Sequence, residues 1–152
     1  MTVNLFFIPF NMEQSQKLKW FMHTALAYLG TPYRWGGDDP SGFDCSGFVI
    51  ECLKTVGLCK ENEDFTANSL LQHFSEKQAI QKPEKGALLF YCSSSGRAYH
   101  VVICLNQFYQ IGASGGNNET TKSQKAWEQN AYIKIRPIPK MSSKIKIVSV
   151  LN

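Results

Sequence analysis

A chain of 152 residues, 43% of them hydrophobic, has about the commonest size for one domain and enough apolar side chains for one core, so a single domain over 1–152 is expected. Its net charge of +4 comes from Lys and Arg scattered along the chain. No patch forms that could track a phosphate backbone, so no nucleic-acid partner is expected, and attraction to another anionic polymer is the more natural use of the charge. The five cysteines (Cys45, Cys52, Cys59, Cys92 and Cys104) are odd in number and include no CxxC pair, which argues against zinc or redox chemistry and leaves at least one thiol free.

Near the start, the run Leu5-Phe6-Phe7-Ile8 lacks a basic flank, a longer apolar stretch and a small-residue cleavage site, so no signal peptide is recognised. No stretch reaches the roughly 18 apolar residues that a membrane span needs. Over 15–29, Leu18, Phe21, Met22, Ala25, Leu26 and Leu29 recur at three- and four-residue spacing, predicting an amphipathic helix stopped by Gly30 and Pro32. Residues 31–43, dense in Gly, Pro and Asp, read as a loop. A second helical stripe follows (Phe48, Val49, Cys52, Leu53, Val56), with Asp44 placed to cap its start and Gly57 its end. The polar segment 60–84 reads as a connection with a short helix over 67–74. Beyond it, extended runs at 87–92, 99–105, 108–113, 132–136 and 144–151 are separated by Gly, Ser, Asn and Pro. Helices first and strands after them make an α+β fold, with N-terminal helices packed on an antiparallel sheet. There is no internal repeat or low-complexity block.

Cys45 lies in Gly42-Phe43-Asp44-Cys45-Ser46-Gly47, at the start of the second helix. There the unpaired N–H groups and the positive end of the dipole are expected to lower a thiol's pKa, and the same N–H groups could hold an oxyanion. The competing reading is a small buried hydrophobe. A cysteine nucleophile needs a base from elsewhere in the fold, and His100, which opens His100-Val101-Val102-Ile103-Cys104-Leu105, would sit on a rigid strand, on the face shared by Val102 and Cys104. His23 and His73 have no comparable setting.

Two blocks carry a resemblance. Gly30-Thr31-Pro32-Tyr33-Arg34-Trp35-Gly36-Gly37 with Pro40-Ser41-Gly42-Phe43-Asp44-Cys45-Ser46-Gly47-Phe48-Val49 closely resembles the signature of NlpC/P60 cysteine peptidases. Pro83-Glu84-Lys85-Gly86-Ala87-Leu88-Leu89-Phe90, followed by His100-Val101-Val102-Ile103, is similar to that family's strand pair. The resemblance implies a papain-like fold and hydrolysis of amide bonds in peptidoglycan stem peptides, commonly between γ-D-glutamate and a diamino acid, with no metal or cofactor. It further implies Cys45 as nucleophile and His100 as base, Tyr33 lining the site, and Asp44 and Ser46 holding the substrate's free amino end. Packing of the loop is the alternative for Tyr33, and N-capping for Asp44.

One departure stands out. The family usually places a third polar residue, His, Asn or Gln, on the strand after the base, and the matching position here is Gly112. Gln110 would share a strand face with it and is the candidate orienter of His100. Asn106 reads more simply as a turn residue. Among the rest, Cys52 is expected in the core, Cys104 near the site, and Trp35 wedged against the body of the domain; 114–118 reads either as a border of the cleft or as a plain surface loop. Rival readings are a thiol acyltransferase and a phage tail, virion or other structural module with weak catalysis. A phage or secretion-system partner would fit a chain that must reach the wall without a signal.

Overall fold

The computed structural model describes residues 13–151 and, within them, all side chains except those of residues 75–77. The apolar run at 5–8 lies outside the described residues. Among the described residues, no helix is long and apolar enough to cross a membrane.

The first helix, α1 (Gln14–Ala27), buries Phe21, Met22 and Ala25. Leu26 and Leu29, expected on the same stripe, are exposed instead, because the helix ends at Ala27 and its buried face follows Phe21 and Ala25. The loop predicted over 31–43 contains a two-stranded hairpin, β1 (Asp38–Asp39) with β2 (Gly42–Phe43). Next come α2 (Cys45–Thr55), buried along Ser46–Ile50, Cys52 and Leu53, and α3 (Ala67–Gln78). Helix α3 is longer than predicted. A capping box starts it, in which Thr66 Oγ1 accepts the Ser69 N–H at 3.1 Å and Ser69 Oγ accepts the Thr66 N–H at 2.9 Å.

The remaining strands are β3 (Ala79–Ile80), β4 (Leu88–Cys92), β5 (Ala98–Cys104), β6 (Tyr109–Ser114), β7 (Tyr132–Pro137) and β8 (Ile145–Val148), with a short helix α4 (Ser123–Glu128) before β7. They form one six-stranded sheet of order β3-β8-β4-β5-β6-β7, antiparallel throughout. The α+β architecture is thus as the order of the elements predicts.

The sheet has two apolar faces. Leu88, Phe90, Val101, Ile103 and Ile111 point toward the helices and pack with Phe21, Phe43, Phe48 and Leu53. Removing any one of these large side chains from water is worth roughly 1.5–3 kcal/mol. On the other face, Ala87, Leu89, Val102, Cys104 and Ile147 form a smaller cluster, joined by Tyr91 and Ile145. Alternation along β5 therefore assigns Val101 and Ile103 to one side and Val102 and Cys104 to the other.

Candidate active site

Helix α2 starts where it does because Asp44 caps it. Asp44 Oδ1 accepts the Gly47 N–H at 2.7 Å and the Ser46 hydroxyl at 3.3 Å, while Oδ2 accepts the Gly36 N–H at 3.1 Å. One carboxylate thus satisfies an orphan donor of the helix and pins the Gly-rich loop beside it. The loop and helix approach at backbone distance. A Cβ on Gly47 would lie 2.1 Å from the Gly37 carbonyl oxygen, and one on Gly37 would lie 2.2 Å from that of Gly42. These glycines are required by contact rather than by turn geometry.

Cys45 is the first residue of α2, and its thiol faces the Val101 N–H in the middle of β5. Burial pushes its pKa up, and the nearby Asp44 carboxylate adds to the rise; the N–H groups of Val101, Ser46 and Cys45 itself oppose it. The expectation that the helix start leaves a lowered thiol is corrected here: desolvation of a largely buried sulfur outweighs the helix N–H groups.

His100 enters from β5. A β-bulge on β5, opposite Tyr91 and Cys92 of β4, where Tyr91 pairs with His100 and Cys92 with Ala98, leaves the exposed Tyr99 as the extra residue. Bulges of this kind re-aim the neighbouring side chain. The N–H of Ala98 donates to Asn68 Oδ1 at 3.0 Å, which ties this bend to the start of α3. Burial, together with the Arg136 guanidinium, lowers the imidazole pKa to about 4, so His100 is neutral near pH 7. Its ring lies against Tyr91, with centroids 5.5 Å apart and planes inclined by 38°.

Cys45 and His100 line one cleft of about 1030 Å³, with Tyr33, Asp44 and Ser46 also in its wall. The structure therefore brings together five of the six residues selected from the sequence. Tyr33 is buried and held by close packing, since a Cβ on Gly116 would fall 2.2 Å from its Cδ1. The 114–118 segment borders the cleft. Trp35 also lines it and is 54% exposed, so it does not wedge against the body as expected; its backbone N–H instead donates to Thr120 O at 2.7 Å.

Gln110 is the sixth, and it stays outside the cleft wall. Its Oε1 accepts the Tyr91 hydroxyl at 2.7 Å and its Nε2 donates to Pro137 O at 3.2 Å, so both ends of the amide are engaged away from His100. At Gly112, a Cβ would meet Val102 Cγ1 at 2.6 Å. The space a side chain at Gly112 would take is already filled by valine. Asn106 is the turn residue it resembled, its Oδ1 accepting the N–H groups of Phe108 at 2.8 Å and Tyr109 at 2.9 Å.

All five cysteines are free thiols. Cys52 is in the core, and Cys104 is buried in the cluster on the far face of the sheet, its pKa raised to about 12 by burial. It does not line the cleft. Sequence reasoning missed Tyr91 and Arg136. Tyr91 was findable in principle, because alternation from Leu89 assigns it to the face of Val102, but only once the pairing of β4 with β5 is known.

Comparison with known proteins agrees with this geometry. The NlpC/P60 family model matches residues 30–136. The chain is 36% identical over 99 residues to dipeptidyl-peptidase 6 of Lysinibacillus sphaericus, covering 64% of this chain and 33% of that one. It is 32% identical over 123 residues to the murein DD-endopeptidase MepH of Escherichia coli (strain K12), covering 77% and 44%. The chain thus spans less than half the length of these relatives. Among solved structures, the NlpC/p60 domain of the peptidoglycan hydrolase SagA is 28% identical with a TM-score of 0.58, over 88% of this chain and 98% of that one. A family model that runs from the Gly-rich loop through β7 takes in both the helix that carries Cys45 and the strand that carries His100, and the chain belongs to the NlpC/P60 family.

Proposed function

We propose that this protein is a cysteine peptidase that hydrolyses amide bonds of peptidoglycan stem peptides, probing them by the free amino end. The observation that carries the reading is the presence of Cys45, at the first position of α2, and His100, neutral near pH 7, in the wall of one cleft large enough for a peptide. His100 takes the thiol proton as Cys45 Sγ attacks the amide carbon. The N–H groups at the start of α2 stabilise the oxyanion, and the protonated His100 gives its proton to the leaving amine. Water, deprotonated by the same imidazole, then cleaves the thioester to release the free acid and the thiol.

The cleft is polarised along its length. Asp38, Asp44 and Asp64 line it beside α2, while Arg97 and Arg136 line it on the sheet side. A carboxylate offers about four acceptor sites. Asp44 uses three of them on Gly36, Ser46 and Gly47, leaving one for a substrate ammonium group. The arginines suit the carboxylates that γ-D-glutamyl and diamino-acid residues carry. The relatives' names, dipeptidyl-peptidase and murein endopeptidase, support peptide bonds of the wall as the target.

The test is mass spectrometry of L-Ala-γ-D-Glu-diaminopimelate incubated with the protein and with Cys45→Ala. Release of L-Ala-γ-D-Glu by the unmodified protein alone is the expected result. Equal release by both would remove Cys45 from the mechanism. With an added amine, a new amide adduct in place of the free acid would make the enzyme an acyltransferase.

A further inference from the structure

We propose that Tyr91, held by Gln110, is the positioning residue for His100, taking the place of a polar side chain on β6. The inference rests on His100 being the base of the proposed reaction. The position on β6 that matches the family's usual third residue is Gly112, and a side chain there would run into Val102. No side-chain hydrogen bond to the imidazole is formed among the described residues; its ring instead lies against that of Tyr91. Tyr91 is its direct cross-strand partner, at the bulge that aims it. A cross-strand aromatic pair restricts ring orientation without taking a lone pair, which leaves both imidazole nitrogens for proton transfer.

A tyrosine ring can orient a neighbour only if it is itself fixed. The Tyr91 hydroxyl donates to Gln110 Oε1 at 2.7 Å, and Gln110, 8% exposed, is anchored through Nε2 to the Pro137 carbonyl at 3.2 Å. The chain of contacts runs Pro137, Gln110, Tyr91, His100 across β7, β6, β4 and β5. Gln110 therefore acts through Tyr91 and not on the imidazole, and the site does not depend on a side chain at position 112.

The experiment combines turnover of the stem peptide with NMR titration of the histidines in the unmodified protein and in Tyr91→Phe, Tyr91→Ala, Gln110→Ala and Tyr91→Phe/Gln110→Ala. His100→Gln assigns the signal. Tyr91→Ala should lower kcat by up to about a hundredfold, the scale of a small misplacement of a catalytic group, with KM little changed. It should also move the His100 midpoint up from about 4 toward an ordinary histidine value. Tyr91→Phe and Gln110→Ala should each lower kcat less, by about the same factor, and the double variant should be no worse than either, because both remove the same Tyr91–Gln110 hydrogen bond. Multiplicative losses in the double variant would mean that Gln110 acts independently of Tyr91. A kcat and a His100 titration unmoved by Tyr91→Phe and by a folded Tyr91→Ala would overturn the inference. The NMR arm separates the two claims: a peptide left intact by the unmodified protein refutes the proposed reaction, while the His100 shifts still decide whether Tyr91 positions the ring.

Discussion

Gly112→Ala adds one methyl group to β6, and its cost can be worked from the contacts it would make. The new Cβ would stand 2.6 Å from Val102 Cγ1, 3.2 Å from Val102 Cβ and 3.5 Å from Val102 Cα. Val102 is only 1% exposed and sits among Ala87, Leu89, Cys104 and Ile147, so it cannot swing into solvent. Overpacking of this kind costs about 1–3 kcal/mol, offset by roughly 0.4–1 kcal/mol from the lower entropy of the unfolded chain once a glycine is gone. A net loss of about 1–2 kcal/mol is expected, which for a domain of this size lowers Tm by roughly 2–8 °C. Val102→Ala alone removes buried methyl groups and costs about 1–3 kcal/mol. In the double variant the added methyl moves into the space vacated, so the combined loss should fall short of the sum by at least about 1 kcal/mol. Urea unfolding of the four proteins measures this coupling. Losses that add to within about 0.5 kcal/mol would refute the claim that Val102 fills the position next to Gly112.

Stability should also depend on pH through His100. Its folded pKa, about 4, lies below the unfolded value of about 6.5, so between these pH values the unfolded chain binds a proton that the folded one does not. The protein should therefore keep full stability from this group above pH 6.5 and lose up to about 3 kcal/mol as pH falls to 4. His100→Gln should flatten that part of the profile in chemical denaturation, and an unchanged slope would place the titration elsewhere. Asp44→Ala removes the acceptor of the Gly47 and Gly36 N–H groups and should cost about 1–2 kcal/mol, with peptide hydrolysis weakened mainly through KM if Asp44 also meets the substrate's amino end.

How much of this was legible depended on the range of the interactions. Helix α2 could be read almost to the residue, because Asp44, the apolar stripe and Gly57 are local signals for its start, face and end. The strands β4 to β7 were equally plain in their alternation and turns. Helix α3 was underestimated only at its C-terminal end, because Ser75-Glu76-Lys77-Gln78 contains no apolar residue to extend the stripe. The six-residue α4 buries Ala126 alone and so leaves no periodic stripe to find. Sheet order is nonlocal: nothing near Ile145–Val148 says that this last strand lies between β3 and β4. In the site, Cys45 and His100 could be selected from their settings, but the partners of Gln110 could not, because its strand face is shared with Tyr91 only through the pairing of three strands.

The direction of the two pKa shifts bears on how such a site could work. A helix start and a nearby histidine would ordinarily favour a thiolate beside an imidazolium. Here burial raises Cys45 and lowers His100, and the surrounding charges add to both shifts, Asp44 on the thiol and Arg136 on the imidazole. At rest the cleft therefore holds a neutral thiol and a neutral imidazole. In the proposed reaction, proton transfer then belongs to the attack itself rather than preceding it, and the orientation of the accepting nitrogen matters more than the standing charge of the sulfur. A substrate carboxylate laid against Arg136 would offset the guanidinium charge that disfavours imidazolium, so the base would gain proton affinity when the cleft is filled by an anionic peptide. On this argument a small thiol reagent should label Cys45 slowly near pH 7 with Cys45 as the proposed nucleophile, and slow labelling would not by itself distinguish a binding module from an enzyme.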